Sequence, residues 1–157
     1  MLSESSIRGL IRNGGVFKDV EGSTPKEVFE NLCAMADLPD CFDKKNLVEE
    51  LSEREKILST AVGNGIAIPH PRKSLVDEDA NQLMMVCYLK TPIAMSAPDE
   101  RKVSVMFVLL TKSSQFHLQT LSNLARLIHD DSFRKFLDTK PDTESLIEKI
   151  SATLQKK

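Results

Sequence analysis

Chemistry is concentrated around a few side chains. His70 is enclosed by two prolines in "GNGIAIPHPR" (63–72), in a chain with only three histidines. Pro69 fixes its own φ near about −65°, and Pro71 pushes His70 toward extended backbone. The imidazole therefore leaves a stiff loop at the end of a short strand, a frequent address for reactive groups in α/β folds. A rigid surface turn is the plainer alternative. His117 falls in the first turn of a helix that Ser113 or Ser114 would cap. Free N–H groups and the helix dipole there favour anions and disfavour imidazolium, so a neutral ring at that position can donate to a phosphoryl oxygen. A solvated first-turn histidine is the competing reading. Arg54, in "SEREKIL", carries a guanidinium whose fork suits phosphate oxygens, or else a solvated helix charge. His129, in "LIHDD", complements the carboxyl end of its helix.

Other chemistries find little footing. His70, His117 and His129 lack the i, i+4 spacing of a helical zinc pair, and twelve residues along one helix leave the last two about 120° apart. No metal or other cofactor is expected. "GNG" at 63–65 begins a dinucleotide fingerprint, but Ile68 stands where its third glycine belongs, and the glycines precede the strand. Neither GxxxxGK[ST] nor a GxSxG elbow occurs.

The elements that must hold these residues follow from periodicity. Leu2, Ile7, Leu10 and Ile11 describe a short amphipathic helix stopped at Asn13-Gly14-Gly15. "VFKDV" (16–20) reads as a strand. Thr24, Pro25 and Glu27 then open a helix with a capping box. A further helix runs from about Asp43 through "LVEELSEREKIL", with apolar residues at 47, 48, 51, 57 and 58. "STAVGNG" reads as a loop, "IAI" as a strand, and "PHPRKSLVDED" as a loop. "QLMMVCYLK" (82–90) and "KVSVMFVLL" (102–110) are apolar runs suited to strands covered on both faces, joined by the turn-rich "TPIAMSAPDER". The next helix presents Leu118, Leu121, Ala125 and Ile128, broadened by Leu124 and Leu127. Two helices close the chain, one started by Asp131 or Ser132 and the other by Asp142 or Thr143. The expectation is α/β: a single domain over 1–157, with helices on both faces of a small sheet of three or four strands.

Composition agrees. Hydrophobic residues make up 41% and charged residues 28% of the chain, ordinary globular values. A net charge of −2 with scattered Lys and Arg gives nucleic acid no basic stripe to follow. No apolar run approaches the roughly 20 residues of a membrane-spanning helix, and "MLSESSIRGLIRNGG" lacks a secretory core. Cys33, Cys41 and Cys87 show no CxxC spacing and read as reduced, buried thiols. A cytoplasmic protein without membrane insertion is expected.

"REKILSTAVGNGIAIPH" (54–70) closely resembles the signature of the IIA domains of the bacterial phosphoenolpyruvate-dependent sugar phosphotransferase system, fructose/mannitol type, a branch that includes the nitrogen-regulatory IIA proteins. "HLQTLSNLARLIHDDSFRKFL" (117–137) resembles that family's second motif, and 91–110 its middle segment. The resemblance implies a mixed central sheet between helices. It implies that His70 accepts a phosphoryl group from the phosphocarrier HPr, that His117 supports that group and that Arg54 stabilises it. The acceptor would be a IIB domain of a sugar permease or, in the regulatory alternative, a partner whose binding follows the phosphorylation state. Two positions depart from the commoner pattern. Pro71-Arg72 replaces a glycine after the histidine, removing an N–H, and Arg72 is a candidate to compensate. Asn64 stands where some members carry glutamate, so only a supporting role is open to it.

Overall fold

The computed structural model describes residues 2–112 and 114–155. Six helices, α1 (Leu2–Gly14), α2 (Pro25–Met35), α3 (Lys44–Ile57), α4 (Ser114–His129), α5 (Asp131–Leu137) and α6 (Thr143–Gln155), surround one sheet. Its strands are β1 (Val16–Val20), β2 (Ala61–Gly63), β3 (Ile66–Ala67), β4 (Leu83–Ile93) and β5 (Val103–Leu110), in the order β1-β4-β5-β3-β2. The sheet is mixed: β1 with β4 and β3 with β5 are parallel, whereas β4–β5 and β2–β3 are antiparallel.

The two central strands sort the core by alternation. Leu83, Met85, Cys87 and Leu89 of β4, with Met106, Val108 and Leu110 of β5, face Phe29 and Leu32 of α2 and Leu47 and Leu51 of α3. Met84, Val86 and Tyr88, with Val105, Phe107 and Leu109, face Ile7 and Ile11 of α1, Leu124 and Leu127 of α4, and the apolar sides of α5 and α6. Strands buried on both sides need continuous apolar sequence, which is why these two runs lack a polar alternation. Each fully buried Leu, Ile or Phe contributes on the order of 1.5–3 kcal/mol as an upper estimate. Among the described residues no helix is long and apolar enough to cross a membrane.

Local chemistry sets the ends. Thr24 accepts from the Glu27 amide, and the Glu27 carboxylate reaches back to the amide of Ser23, one residue earlier than the expected box. Gly14 closes α1 against β4 so tightly that a Cβ there would meet the Met84 carbonyl oxygen at 2.1 Å. The cap of α5 is Asp130, which accepts from Phe133 N, and not Asp131 or Ser132. Asp142 caps α6 through the amide of Ser145. Ser114 is the first residue of α4, and a cap at Ser113 lies outside the described residues.

Three further expectations need correction. The described residues form five strands, because part of "STAVGNG" is β2; Asn64-Gly65, with φ of 58° and 78°, forms the tight turn of a β2–β3 hairpin. Leu118 and Ala125 are exposed; the seam of α4 runs instead through Thr120, Asn123, Leu124, Leu127 and Ile128, with Leu121 at its edge. At the end of α3, Ile57 and Leu58 point outward, since the helix stops as the chain turns toward β2 and carries them past the sheet.

Candidate functional site

β3 and β5 run parallel, so their carboxyl ends lie together at one edge of the sheet. The carbonyl of Pro69 accepts from Leu109 N at 2.9 Å, carrying the pairing one step past β3, and His70 follows at once. The loop is held down again by Ser74, whose hydroxyl donates to the Thr111 carbonyl at 2.9 Å. The start of α4 crosses the same edge and brings His117 beside His70. The two rings stand edge to face, with centroids 4.8 Å apart and planes at 62°. His129 sits twelve residues along the same helix, at its other end.

The hydrogen bonds assign most of the ring chemistry. His70 Nδ1 lies 3.0 Å from the Ile68 carbonyl oxygen, which can only accept, so Nδ1 carries the proton and the neutral ring keeps its lone pair on Nε2. His117 Nδ1 meets Thr111 Oγ1 at 3.1 Å. A hydroxyl can donate or accept, so His117 Nε2 is an N–H donor if Thr111 donates and an acceptor otherwise. Burial lowers the pKa of His70 from its ordinary 6.5; the Ile68 bond partly opposes this and the Arg54 charge adds to it. Burial, and then the neighbouring His70, lower that of His117. Both rings are therefore uncharged at neutral pH, and His70 is a competent nitrogen nucleophile.

The rings open into a cavity of about 370 Å³, lined also by Pro71, Arg72, Lys73, Ser74, Leu109, Thr111, Lys112 and Leu118. Three of these side chains are cationic and none is acidic, which suits a dianion. Lys73, Lys112 and Thr111 escaped the sequence reading. Lys73 carries no distinguishing local pattern, and the other two join the site only because β5 ends beside His70.

The remaining candidates separate. Arg72 lines the cavity but holds Glu50 of α3 through Nε and Nη2, both at 3.3 Å. Arg54 is not among the lining residues: its Nη1 donates to the Leu58 carbonyl at the end of α3, and it acts on His70 through its charge. Asn64 lies in the hairpin turn, where its amide donates to Asp99, and it lines a different cavity with Arg101, Ser104 and Arg134. Cys33 and Cys87 are buried, their thiols pushed up to about 11 and about 12, and lie outside the His70 cavity.

Two neutral histidines at the end of a parallel strand pair, beside a cationic rim, have the chemistry to hold a phosphoryl group. Residues 10–153 match the family described as phosphoenolpyruvate-dependent sugar phosphotransferase system, EIIA 2. The nitrogen regulatory protein of Pseudomonas aeruginosa is 32% identical over 144 residues, covering 89% of this chain and 91% of the relative. The crystal structure of the nitrogen regulatory protein IIA-Ntr from Neisseria meningitidis superposes with a TM-score of 0.76 at 29% identity, over 87% of this chain and 92% of that one. The mannitol IIA enzyme of Escherichia coli, solved in complex with phosphorylated IIB, shares the fold with a TM-score of 0.66 at 15% identity, over 88% and 94% of the two chains. The chain belongs to the EIIA type 2 family and is a phosphotransferase-system component.

Proposed function

We propose that the protein carries a phosphoryl group on His70 Nε2, received from phospho-HPr. The observation that carries this reading is the pairing of His70 with the Ile68 carbonyl inside a cation-lined cavity, which leaves Nε2 as the free lone pair. One N–P bond forms as another breaks. The donor ring, protonated on its other nitrogen, leaves as a neutral imidazole with the electron pair of the broken bond, while His70 keeps its Nδ1 proton on the Ile68 carbonyl and takes over the ring charge. Exchange of one phosphoramidate for another is close to thermoneutral, so the protein has to position the groups and spread charge. His117, with Thr111 donating to its Nδ1, offers Nε2–H to a phosphoryl oxygen. Lys73, Lys112 and the field of Arg54 supply the positive surroundings.

The next step is docking on a second protein. Leu118, 65% exposed, gives the cavity that holds the histidines an apolar lip. An exposed apolar side chain beside a reactive centre suits a transient protein interface. A IIB domain is one candidate for the partner, since the mannitol IIA enzyme of the same fold was solved with one. The likeness to nitrogen regulatory proteins supports a second reading equally well: the phosphorylation state of His70 switches affinity for a regulated partner.

Incubation with phosphoenolpyruvate, enzyme I and HPr should give an acid-labile phosphoryl group on the wild type. An unlabelled wild type would overturn the carrier reading. Adding isolated IIB domains to the labelled protein separates the two roles: a relay loses its phosphate to one of them, whereas a switch retains it and changes what it binds.

A further inference from the structure

Glu50 lies on α3, and its side chain is only 9% exposed. A buried carboxylate is costly unless it is paired, and its described partner is Arg72. Arg72 belongs to the His70 loop and lines the His70 cavity, with its own side chain 47% exposed. The one cation therefore belongs to two places, the back of α3 and the rim of the cavity. Both contacts measure 3.3 Å, longer than the roughly 2.7–2.9 Å of a tight charge-assisted bond. In the resting site the Arg72 charge is met by the Glu50 carboxylate.

We propose that Glu50 and a phosphoryl group on His70 compete for the Arg72 guanidinium, and that Glu50 thereby sets how firmly the site holds phosphate. The inference rests on the carrier reading above. A phosphoryl dianion presents three acceptor oxygens to the same fork. Pro71 restricts the backbone between His70 and Arg72, so the exchange runs through the torsions of the half-exposed arginine side chain. Drawing Arg72 away exposes Glu50 to the cost of an unpaired buried charge, which offsets part of what the phosphoryl group gains. A carrier that must both accept and release needs such an offset: an uncommitted guanidinium would stabilise phosphohistidine and slow its departure. Glu50 acts through Arg72 and is a positioning residue.

The test is the equilibrium of phosphoryl exchange between phospho-HPr and the full chain, measured for wild type, E50Q, R72Q and E50Q/R72Q, with thermal unfolding alongside. E50Q should shift the equilibrium toward the phosphorylated protein by about tenfold, the worth of one hydrogen bond to a charged group. R72Q should shift it the other way, and the double variant should match R72Q, because without the arginine there is nothing to compete for. If E50Q does not fold, E50D loosens the same contact and should move the equilibrium in the same direction. A labelled wild type whose E50Q equilibrium is unchanged overturns the proposal and leaves the carrier reading standing. An E50Q shift that persists undiminished in the R72Q background also overturns it. A wild type that takes no label overturns both.

Discussion

The two histidines reach the same cavity by different routes. His70 is held by its own neighbours: prolines on either side, a carbonyl two residues back, and a Pro69 carbonyl bonded into β5. His117 owes its place to distant parts of the chain, namely the end of β5, the start of α4 and the Thr111 hydroxyl. Local constraint gives one ring a defined tautomer with an open nitrogen, as a nucleophile requires. Placement by α4 sets the other ring where it can serve a group attached to its neighbour. Two rings of the same type at one site are thus prepared for unequal work.

The widest gap between the two regions should appear on deletion. His70→Ala should abolish labelling by phospho-HPr altogether, since no other described ring pairs a fixed Nδ1–H with a place in this cavity. Label surviving in that variant would refute the assignment of the acceptor. His117→Ala should still become labelled but pass its phosphate on about 10²-fold more slowly, the usual cost of losing one donor to a developing charge. Equal transfer rates for that variant and wild type would mean that the rings are merely packed together. A subtler probe is Thr111→Val, which keeps shape and burial while removing the hydroxyl. It should slow the same transfer by roughly fivefold, within the net worth of one hydrogen bond, and leave labelling unchanged. If acceptance slows instead, Thr111 serves His70 and not His117.

The same contrast explains what was legible in the sequence. Several features written into neighbouring residues are legible: the Thr24–Glu27 cap, the stop at Gly14-Gly15, the two apolar central strands, and His70 between its prolines. The strand β2 is not legible because three residues ending in glycine carry almost no periodic signal, although Asn64-Gly65 is itself a hairpin turn pair. The burial of α4 was misassigned because Leu118, apolar and in register with Leu121, was expected in the core and instead stands at the cavity. Contacts between distant segments left no pattern at all. Glu50 and Arg72 are twenty-two residues apart, and Thr111 and Lys112 join the site only through β5. Arg54 receives a phosphate-stabilising role from the resemblance alone, and no local pattern shows that its guanidinium donates to the end of its own helix.

Acidification should produce the smallest effect, and the sign can be worked out. Both imidazoles are shifted below the ordinary 6.5, mainly by burial, with a charged Arg54 acting on His70 and the neighbouring ring on His117. Each therefore takes up its proton at a lower pH than a free histidine does. The rate of phosphoryl acceptance should accordingly fall with a midpoint below the ordinary histidine value of 6.5. The folded protein resists a proton that the unfolded chain accepts. Stability from this source is thus intact above the unfolded value near 6.5, erodes as pH falls through it, and levels off below the folded values. Titration of the ring protons by NMR checks the midpoints directly, and urea unfolding at a series of pH values checks the linkage. His70→Ala should flatten part of that pH dependence, and His117→Ala a separate part. If both midpoints lie at or above 6.5, the rings are not held neutral by burial, and His70 loses the ready nucleophile that distinguishes its region from that of His117.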